Sequence, residues 1–405
     1  MTDVRPTLPG VGRRQFLRLS TAALGVLATS AVLEACGGNA APASSAAGAP
    51  TSSTAAAGGA SGKPAAPAAS GSTAAAASGA PAGSAKPAAS GSAAPSAAAG
   101  APAFKPEKPQ IKISIPVEAP TFLPMYIAID RTGKEQGLDI QLLSFRGDAE
   151  SSQALAGDSV DVNLASMNGL INLITANQPV MGFYMGFYQV TFDWVANKSI
   201  KAWADLKGKS AGVSTYGSLT DFLTRFALTK HGLQPEKDVQ MVQAGGNDTI
   251  YQAIKSGKLG MGILGAPQKW QAEDEGYTKL GSQDKEIAPE WPTHAYMAKT
   301  NWMNQNPNTL KALMRAHVNG IRLAKSNKDY GAKVLADRLK VTPAIGARMY
   351  DEVIGGYNEK GPPPEASMPT FWQIMVEGKF VDQPWPESKY LDRRLIDTFD
   401  QWAPK

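Results

Sequence analysis

The sequence predicts an α/β fold for residues 110–405, because short apolar runs alternate with helix-length segments through most of that stretch. Strands that are connected by helices of this length pair in parallel, with helices on both faces of the sheet. From about Thr293 the glycines become sparse and the pattern changes to long helices. We therefore expect an α/β body that ends in a helical C-terminal region.

The individual elements follow from the apolar periodicity and from the residues that end each segment. Gly133 and Gly137 are expected to break the first helical segment, and Gly232 is expected to cap the end of the helix that begins near Ser218. The predicted strands are 111–117, 138–145, 160–165, 210–213, 238–242 and 259–264. The predicted helices are 120–130, 148–156, 168–176, 218–230, 307–325, 330–339, 343–354, 368–377 and 391–399.

Residues 1–35 have the pattern of an export signal. A pair of arginines, similar to a twin-arginine motif, precedes an apolar run at 20–33 that is too short for a permanent membrane span. The run ends at the only cysteine of the chain, Cys36, in a stretch that resembles a lipobox, although Glu34 stands where a small residue is usual. We expect Cys36 to be lipidated and to anchor the mature protein to the membrane; the alternative is an unmodified cysteine behind a signal peptide.

Residues 36–103 are predicted to form a disordered linker that begins at the lipidated cysteine. They are almost entirely Ala, Gly, Ser, Pro and Thr, a composition that cannot bury enough apolar surface to offset the entropy of ordering. The signal and the linker hold six basic and two acidic side chains, which leaves 34 basic and 33 acidic ones from Phe104 onward. The formal charge of +5 therefore does not indicate a nucleic-acid partner.

A loop rich in glycine and hydroxyl groups, 214–220, is the first candidate for a binding site. It follows a short buried strand and precedes a helix, whose free N–H groups and dipole favour an anion or a polar group. The candidate ligand-binding residues in it are Ser214, Thr215, Gly217, Ser218 and Thr220. The alternative is an ordinary connection in which a serine caps the helix.

Other strand ends supply the remaining candidates, since ligands of such sheets bind beyond the carboxyl ends of the strands. Arg146 is a cation at one of these ends, and it pairs either with an anionic ligand or with its neighbours Asp148 and Glu150. The other candidate ligand-binding residues are Pro120, Thr121, Phe122, Ser166, Met167, Asn168, Asn247 and Gly265.

We find no convincing catalytic or metal-binding set. The three histidines, His231, His294 and His317, have no metal-ligand spacing, and His231 is expected to lie at a helix end. No cofactor is expected, and no nearby base activates the hydroxyls of the 214–220 loop. The aromatic run 183–188 is interpreted as a core strand, with a stacking surface for a ring-containing ligand as the alternative.

Several short motifs resemble the periplasmic substrate-binding proteins of ABC transporters, within the nitrate, sulfonate, taurine and thiamine-precursor class. The matching stretches cover roughly 110–325 and are Gly137-Leu-Asp, Ala154-Leu-Ala-Gly-Asp-Ser-Val-Asp-Val, Asp205-Leu-Lys-Gly-Lys, Gly232-Leu-Gln-Pro, Ala253-Ile-Lys-Ser-Gly and Asn306-Pro. The resemblance implies a two-lobe periplasmic-binding-protein fold, similar to type II, with lobe 1 formed by 110–194 plus 294–405 and lobe 2 by 195–293.

The same resemblance implies a monomeric, non-enzymatic protein that binds a small solute between its lobes, closes by a hinge and delivers the solute to an ABC permease. Two other functions remain open at this point. One is an accessory protein that reports the same ligand to a sensor. The other is an enzyme of pyrimidine synthesis, although the cysteine-rich motif of those enzymes is missing here.

Overall fold

The computed structural model describes residues 104–405. The predicted export signal, the lipidation site at Cys36 and the linker lie outside the described residues. Within residues 104–405 there are two five-stranded sheets with helices packed around them. None of the helices in this range combines the length and the apolar character that crossing a membrane requires.

The first sheet has the order β2-β1-β3-β10-β4. β1 pairs in parallel with β2 and β3, as the alternation of strands and helices predicts, whereas β10 runs antiparallel to both β3 and β4. The strands are β1 (Gln110–Ile115), β2 (Asp139–Ser144), β3 (Val162–Ala165), β4 (Val180–Gln189) and β10 (Glu290–Lys299). Its connecting helices are α1 (Leu123–Ile127), α2 (Asp148–Ala156) and α3 (Met167–Thr175).

The second sheet has the order β7-β6-β8-β5-β9. Here β6 pairs in parallel with β7 and β8, and β5 runs antiparallel to β8 and β9. The strands are β5 (Asp193–Ala196), β6 (Lys209–Val213), β7 (Val239–Gln243), β8 (Met261–Leu264) and β9 (Thr278–Ser282). The helices between them are α4 (Leu219–Lys230), α5 (Asn247–Lys255) and α6 (Gln268–Asp274), and α7 (Gln283–Glu286) follows β9.

The chain leaves the first sheet after β4 and returns to it in β10. We call the first sheet with its helices the first lobe, and the second sheet with its helices the second lobe. The C-terminal helices join the first lobe: α9 packs on α1, and α10 packs on α11. They are α8 (Thr300–Gln305), α9 (Pro307–Ser326), α10 (Lys328–Leu339), α11 (Pro343–Val353), α12 (Met368–Glu377), α13 (Arg394–Asp397) and α14 (Phe399–Trp402).

Two details of the expected elements are wrong. Gly133 does not break the first helical segment, because the helix continues through a π-helical turn (Ala128–Thr132) to Glu135, and Gly137 with φ +75° follows it. The expected helix at 391–399 is replaced by the short helices α13 and α14. A Cβ atom at position 133 would lie 2.5 Å from the backbone oxygen of Ala128. Close packing therefore explains the glycine at this position better than backbone flexibility does.

Candidate functional site

A cavity of about 70 Å³ lies between the two lobes, beyond the carboxyl ends of β1, β3, β6, β7 and β8. This is where ligands bind in open α/β sheets. Both lobes line it, and apolar and small residues predominate. The lining residues are Pro116, Val117, Ala119, Pro120, Thr121, Phe122, Gly147, Asp148, Ser166, Thr191, Phe192, Ser214, Leu219, Thr220, Gly245, Gly246, Asn247, Ile250, Gly265, Ala266, Thr293, His294 and Glu352.

The cavity brings together part of the candidate set from the sequence. The candidates that line it are Pro120, Thr121, Phe122, Ser166, Ser214, Thr220, Asn247 and Gly265. The candidates that lie outside its lining are Arg146, Met167, Asn168, Thr215, Gly217 and Ser218. Ser166, Ser214 and Gly265 directly follow strands, and Asn247 begins a helix, which is the placement that the sequence argument used. Pro120, Thr121 and Phe122 form a short 3-10 helix before α1, and Thr220 is the second residue of α4.

Arg146 faces solvent and pairs with its neighbour. Its side chain is 74% exposed, and Nε donates to Glu150 Oε1 at 2.8 Å. This hydrogen bond to Glu150 raises the pKa of Arg146 and lowers that of the glutamate. The sequence left open whether Arg146 pairs with an anionic ligand or with a neighbouring carboxylate. In this structure it pairs with the neighbouring Glu150.

Three hydroxyl groups of the 214–220 loop bind one another, whereas Thr215 Oγ1 is buried without a hydrogen-bond partner. Ser214 Oγ lies 2.9 Å from Ser218 Oγ and 2.7 Å from Thr220 Oγ1, and the two latter oxygens are 2.9 Å apart. Ser218 is also the N-cap of α4, where its side chain accepts from the N–H of Asp221. Of the two roles that the sequence left open for this loop, the structure shows the capping role for Ser218.

The N–H groups of the same loop are also occupied. Gly217 donates to Asp221 Oδ2 at 2.9 Å, and Tyr216 donates to the side chain of Gln243 at 3.0 Å. Leu219, the first residue of α4, donates to Asp148 Oδ2 at 2.9 Å. The N–H groups of Leu219 and Asp221 at this helix end are therefore occupied within the protein.

Asp148 is the central charged residue on this side of the cavity. It begins α2 in the first lobe, and its other oxygen, Oδ1, accepts from the N–H of Ser166 at 3.0 Å, at the start of α3. Its carboxylate thus meets the N-terminal ends of three helices, and the contact with Leu219 connects the two lobes. We call Asp148, Ser166 and Leu219 the Asp148 junction. Burial raises the pKa of Asp148, while the two backbone N–H donors act in the opposite direction.

A second charged contact between the lobes lies at Glu352. This glutamate belongs to α11 of the first lobe and forms an ion pair with Lys269 of α6 in the second. Lys269 Nζ also donates to the carbonyl of Thr191 at 2.8 Å, but Glu352 Oε2 is buried without a hydrogen-bond partner. Burial raises the pKa of Glu352, and Lys269 opposes that shift. We call Glu352 and Lys269 the Glu352 junction.

His294 forms part of the wall contributed by β10. Its ring stacks on Phe122, with the ring centres 4.3 Å apart and the planes 5° apart, and Nε2 lies 3.4 Å from Thr121 Oγ1. Burial lowers its pKa to about 3, with a smaller contribution from His317. The imidazole is therefore neutral at ordinary pH, so it adds polarity to the cavity without adding charge.

The N-terminal end of α5 offers a different surface from that of α4. Its cap residue is Gly246, no side chain caps the helix, and Gly245 before it has φ +85°. A glycine tolerates that left-handed backbone at little cost. Gly245, Gly246 and Asn247 all line the cavity, which puts the start of this helix at its wall, although the N–H of Gly245 already donates to the carbonyl of Ser214 at 3.0 Å.

Sequence reasoning missed Asp148 and Glu352 as site residues. Asp148 was visible as an acidic residue at a predicted helix start, where carboxylates are common, and nothing local showed that three helix ends would meet it. Glu352 is one of many charges on a C-terminal helix, and only the tertiary packing brings it to the cavity. Among residues 104–405 there is no group of three or more histidine, cysteine or acidic side chains that could hold a metal ion.

The core position of the aromatic run agrees with its interpretation as a strand. Phe183, Tyr184 and Phe187 are buried in β4, and Phe187 packs against His294 with ring centres 5.2 Å apart. None of these three lines the cavity, whereas Phe192, just beyond the strand, does.

Comparison with known proteins agrees with this architecture. The sequence profile of the NMT1/THI5-like family matches residues 119–329, more than half of the chain. YtlA of Bacillus subtilis, whose name describes it as a candidate binding protein, is 23% identical over 236 residues, which is 57% of this chain and 70% of YtlA.

Two solved structures have the same fold. A ligand-binding component of an ABC-type import system from Staphylococcus aureus, with zinc bound, superposes with a TM-score of 0.60 at 10% identity, covering 72% of this chain and 98% of that one. The periplasmic nitrate-binding protein NrtA from Synechocystis PCC 6803 gives 0.58 at 16% identity, covering 73% and 88%. The chain therefore belongs to the NMT1/THI5-like family and has the two-lobe fold of periplasmic substrate-binding proteins.

Proposed function

We propose that this protein is an extracytoplasmic solute-binding protein that captures a small solute between its lobes and delivers it to an ABC importer. The observation that carries the proposal is the cavity at the strand ends, which both lobes line. The relatives support it, since their names describe binding proteins and a component of an import system. The protein acts by binding and release, without turnover of the solute.

The chemistry of the lining fits binding better than catalysis. Ser166 caps α3, Ser214 and Thr220 bind each other, and Thr293 donates to backbone carbonyls. His294, the only histidine in the lining, contacts Thr121, Phe122 and Phe187. A nucleophile needs a base within hydrogen-bond reach that a third group orients. The cavity instead combines a small apolar space with a few fixed polar atoms, which is typical of a ligand pocket.

The test of this function is direct. Native mass spectrometry of the protein purified from its own host should detect a retained small molecule, which is recovered unchanged after denaturation. Small-angle scattering of the protein stripped of that solute should show a larger radius of gyration than after the solute is added back, because the lobes separate about a hinge. A protein that retains no solute and whose scattering profile is the same before and after host metabolites are added is not a binder of this kind.

Hinge closure uses the two crossings of the chain between the sheets. We place lobe 1 at 110–194 plus 294–405 and lobe 2 at 195–293. The sheets divide a few residues away, because β5 pairs within the second sheet from Asp193 and β10 pairs within the first sheet from Glu290. The hinge therefore falls in the segments 190–192 and 287–289, which can absorb a change of backbone angles while each sheet moves as a rigid body.

The predicted lipid at Cys36 completes the proposed role, because it would hold the protein near a membrane permease. A thioether-linked diacylglycerol supplies two acyl chains, which stable anchoring requires. Cys36→Ser should release the mature protein into the soluble fraction, with the folded body unchanged in its circular dichroism spectrum. A mutant that remains in the membrane pellet as the wild type does would show that another feature anchors the protein.

A further inference from the structure

The electrostatics of the cavity indicate the kind of solute. Helix N-termini attract anions, and three of them converge on one side of the cavity. Their position is already occupied by Asp148, whose two oxygens each accept a backbone N–H. A carboxylate of the protein itself thus occupies the position in which the helix ends would stabilise a bound nitrate, sulfonate or carboxylate most.

No cation compensates for this inside the cavity. Within the described chain, neither lysine nor arginine is among the lining residues. Lys269, the cation beside the lining, is bound to Glu352 and to a backbone carbonyl. Arg348 on the same side stacks over Trp270 at 4.2 Å. An anion that entered the cavity would lose its hydration and would meet two carboxylates without a free positive charge.

One buried polar atom of a lining residue lacks a hydrogen-bond partner. Glu352 is among the lining residues, and its Oε2 is buried without a hydrogen bond, although Oε1 pairs with Lys269. A buried acceptor without a donor is unfavourable, and a charge-assisted hydrogen bond to it is among the stronger polar contacts. The open end of α5 near Gly246 can in addition donate to an acceptor on the same solute. Its dipole favours negative charge, which the carboxylates of Asp148 and Glu352 oppose.

We propose that the cavity selects a neutral or cationic solute that carries an N–H donor, and that Glu352 Oε2 is the acceptor for that donor. The proposal rests on the solute-binding function proposed above and specifies the ligand class of the same site. A solute of this class would differ in charge from the ligand of the nitrate-binding protein NrtA, which has the same fold.

Three probes of one shape and three charges test the proposal: benzamidine, benzamide and benzoate. Isothermal titration calorimetry on the solute-free protein at pH 7 should show benzamidine and benzamide binding at least about tenfold tighter than benzoate. Nitrate and methanesulfonate should give no binding up to about 10 mM. The proposal is overturned if any of the three anions binds tighter than benzamide, or if neither benzamidine nor benzamide binds at about 10 mM.

Two matched variants identify the acceptor. Glu352→Gln should weaken benzamidine at least about tenfold, because the charge-assisted hydrogen bond is lost. Glu150→Gln removes the same charge from a residue outside the cavity lining, and should leave the affinity unchanged. Equal benzamidine affinities in wild type and Glu352→Gln would refute the role of Glu352; if that variant does not fold, the wild-type series decides.

Two experimental outcomes distinguish a wrong ligand class from a wrong function. A retained anionic solute would overturn the ligand class and leave the solute-binding function standing. Failure to retain or respond to any solute would remove the function itself.

Discussion

The Asp148 junction and the Glu352 junction both connect the lobes through a buried carboxylate, yet they are built differently. Asp148 has no cation beside it, and backbone N–H groups at helix ends satisfy both of its oxygens. Glu352 has a lysine partner but leaves one oxygen without a donor. A structural carboxylate therefore differs from one that can bind a ligand mainly in whether both of its oxygens already have hydrogen-bond donors. The presence of a nearby cation matters less.

The surroundings of the two junctions differ as well. Behind the Asp148 junction, Met167 and Leu170 of the first lobe share one apolar cluster with Leu219 and Phe222 of the second. Beside the Glu352 junction, Arg348 stacks on the partly exposed Trp270, and Ala266 and Trp270 are the second-lobe residues that pack against the apolar cluster of the first lobe. We therefore expect substitutions on the Asp148 side to reduce stability, and substitutions on the Glu352 side to change binding.

The largest effect is expected for Phe222→Ala, in the apolar cluster behind the Asp148 junction. The ring is 3% exposed and lies 5.2 Å from that of Phe380 and 6.2 Å from that of Trp291. Removing it should lower the unfolding free energy by about 3–5 kcal/mol, through lost burial and a residual cavity. Urea denaturation measures this, with the half-exposed Tyr216→Ala as the control. Similar losses in both variants would mean that the cluster does not bind the lobes together.

Asp148→Ala should be the next most damaging change. It leaves the N–H groups of Ser166 and Leu219 without their acceptor in a buried position, which costs about 2–4 kcal/mol. Glu150→Ala, on the same helix but paired only with exposed Arg146, should cost less than about 1 kcal/mol. A stability of Asp148→Ala equal to that of the control would show that Asp148 is not a structural residue, and the contrast between the junctions would fail.

The buried histidines His294 and His317 should respond to acid in the opposite direction from the carboxylates of the two junctions. Burial lowers the pKa of His294 and His317 to about 3, below the ordinary value of 6.5. Their neutral forms stabilise the fold above pH 6.5, and this contribution is lost as the pH falls toward 3. Burial raises the pKa of both Asp148 and Glu352, so these carboxylates act in the opposite direction as the pH falls.

The comparison of wild type with His317→Asn isolates one histidine. Between pH 7 and 5.5 the two histidines together should remove about 2–3 kcal/mol of unfolding free energy, and the variant should lose about half as much. His231→Asn, at the partly exposed end of α4, serves as the control. Parallel stability–pH curves for wild type and His317→Asn would contradict this assignment of acid sensitivity.

The sequence predicted the parallel strands and their helices well, since each signal there is local. Strands β1 to β3 and β6 to β8 combine short apolar runs with glycine-marked helix ends, as α4 does with Gly232 at φ +75°. The strands β5 and β10 were expected only from the family resemblance, as crossovers near 192–197 and 293–298. Their antiparallel pairing was not predicted, because it depends on residues more than sixty positions away.

The site was only partly predictable for the same reason. The general position beyond the strand ends follows from topology, and Pro120, Thr121 and Asn247 do line the cavity. Whether a helix end is open depends on tertiary contacts that local sequence does not contain. From the sequence, the helix end behind the 214–220 loop was expected to bind an anion or a polar group. In the structure, the carboxylate of Asp148, which is distant in sequence, accepts a hydrogen bond from Leu219 at that helix end.

The smallest effect concerns Ser218, where capping and ligand binding can be distinguished. The serine is fully buried, lies outside the cavity lining and accepts from the N–H of Asp221, so it has the geometry of a helix cap. Ser218→Ala should lower the unfolding free energy by about 1 kcal/mol and leave the affinity for the retained solute unchanged.

Thr220→Val provides the contrast, since Thr220 Oγ1 belongs to the same hydroxyl cluster but Thr220 lines the cavity. Loss of this hydroxyl should reduce both the unfolding free energy and the affinity for the retained solute, with an affinity change of up to about tenfold if the hydroxyl also binds the solute. Thermal unfolding and calorimetric titration of both variants decide the matter. A loss of affinity in Ser218→Ala at unchanged stability would return the loop to the binding site and would show that the helix end opens when the solute enters.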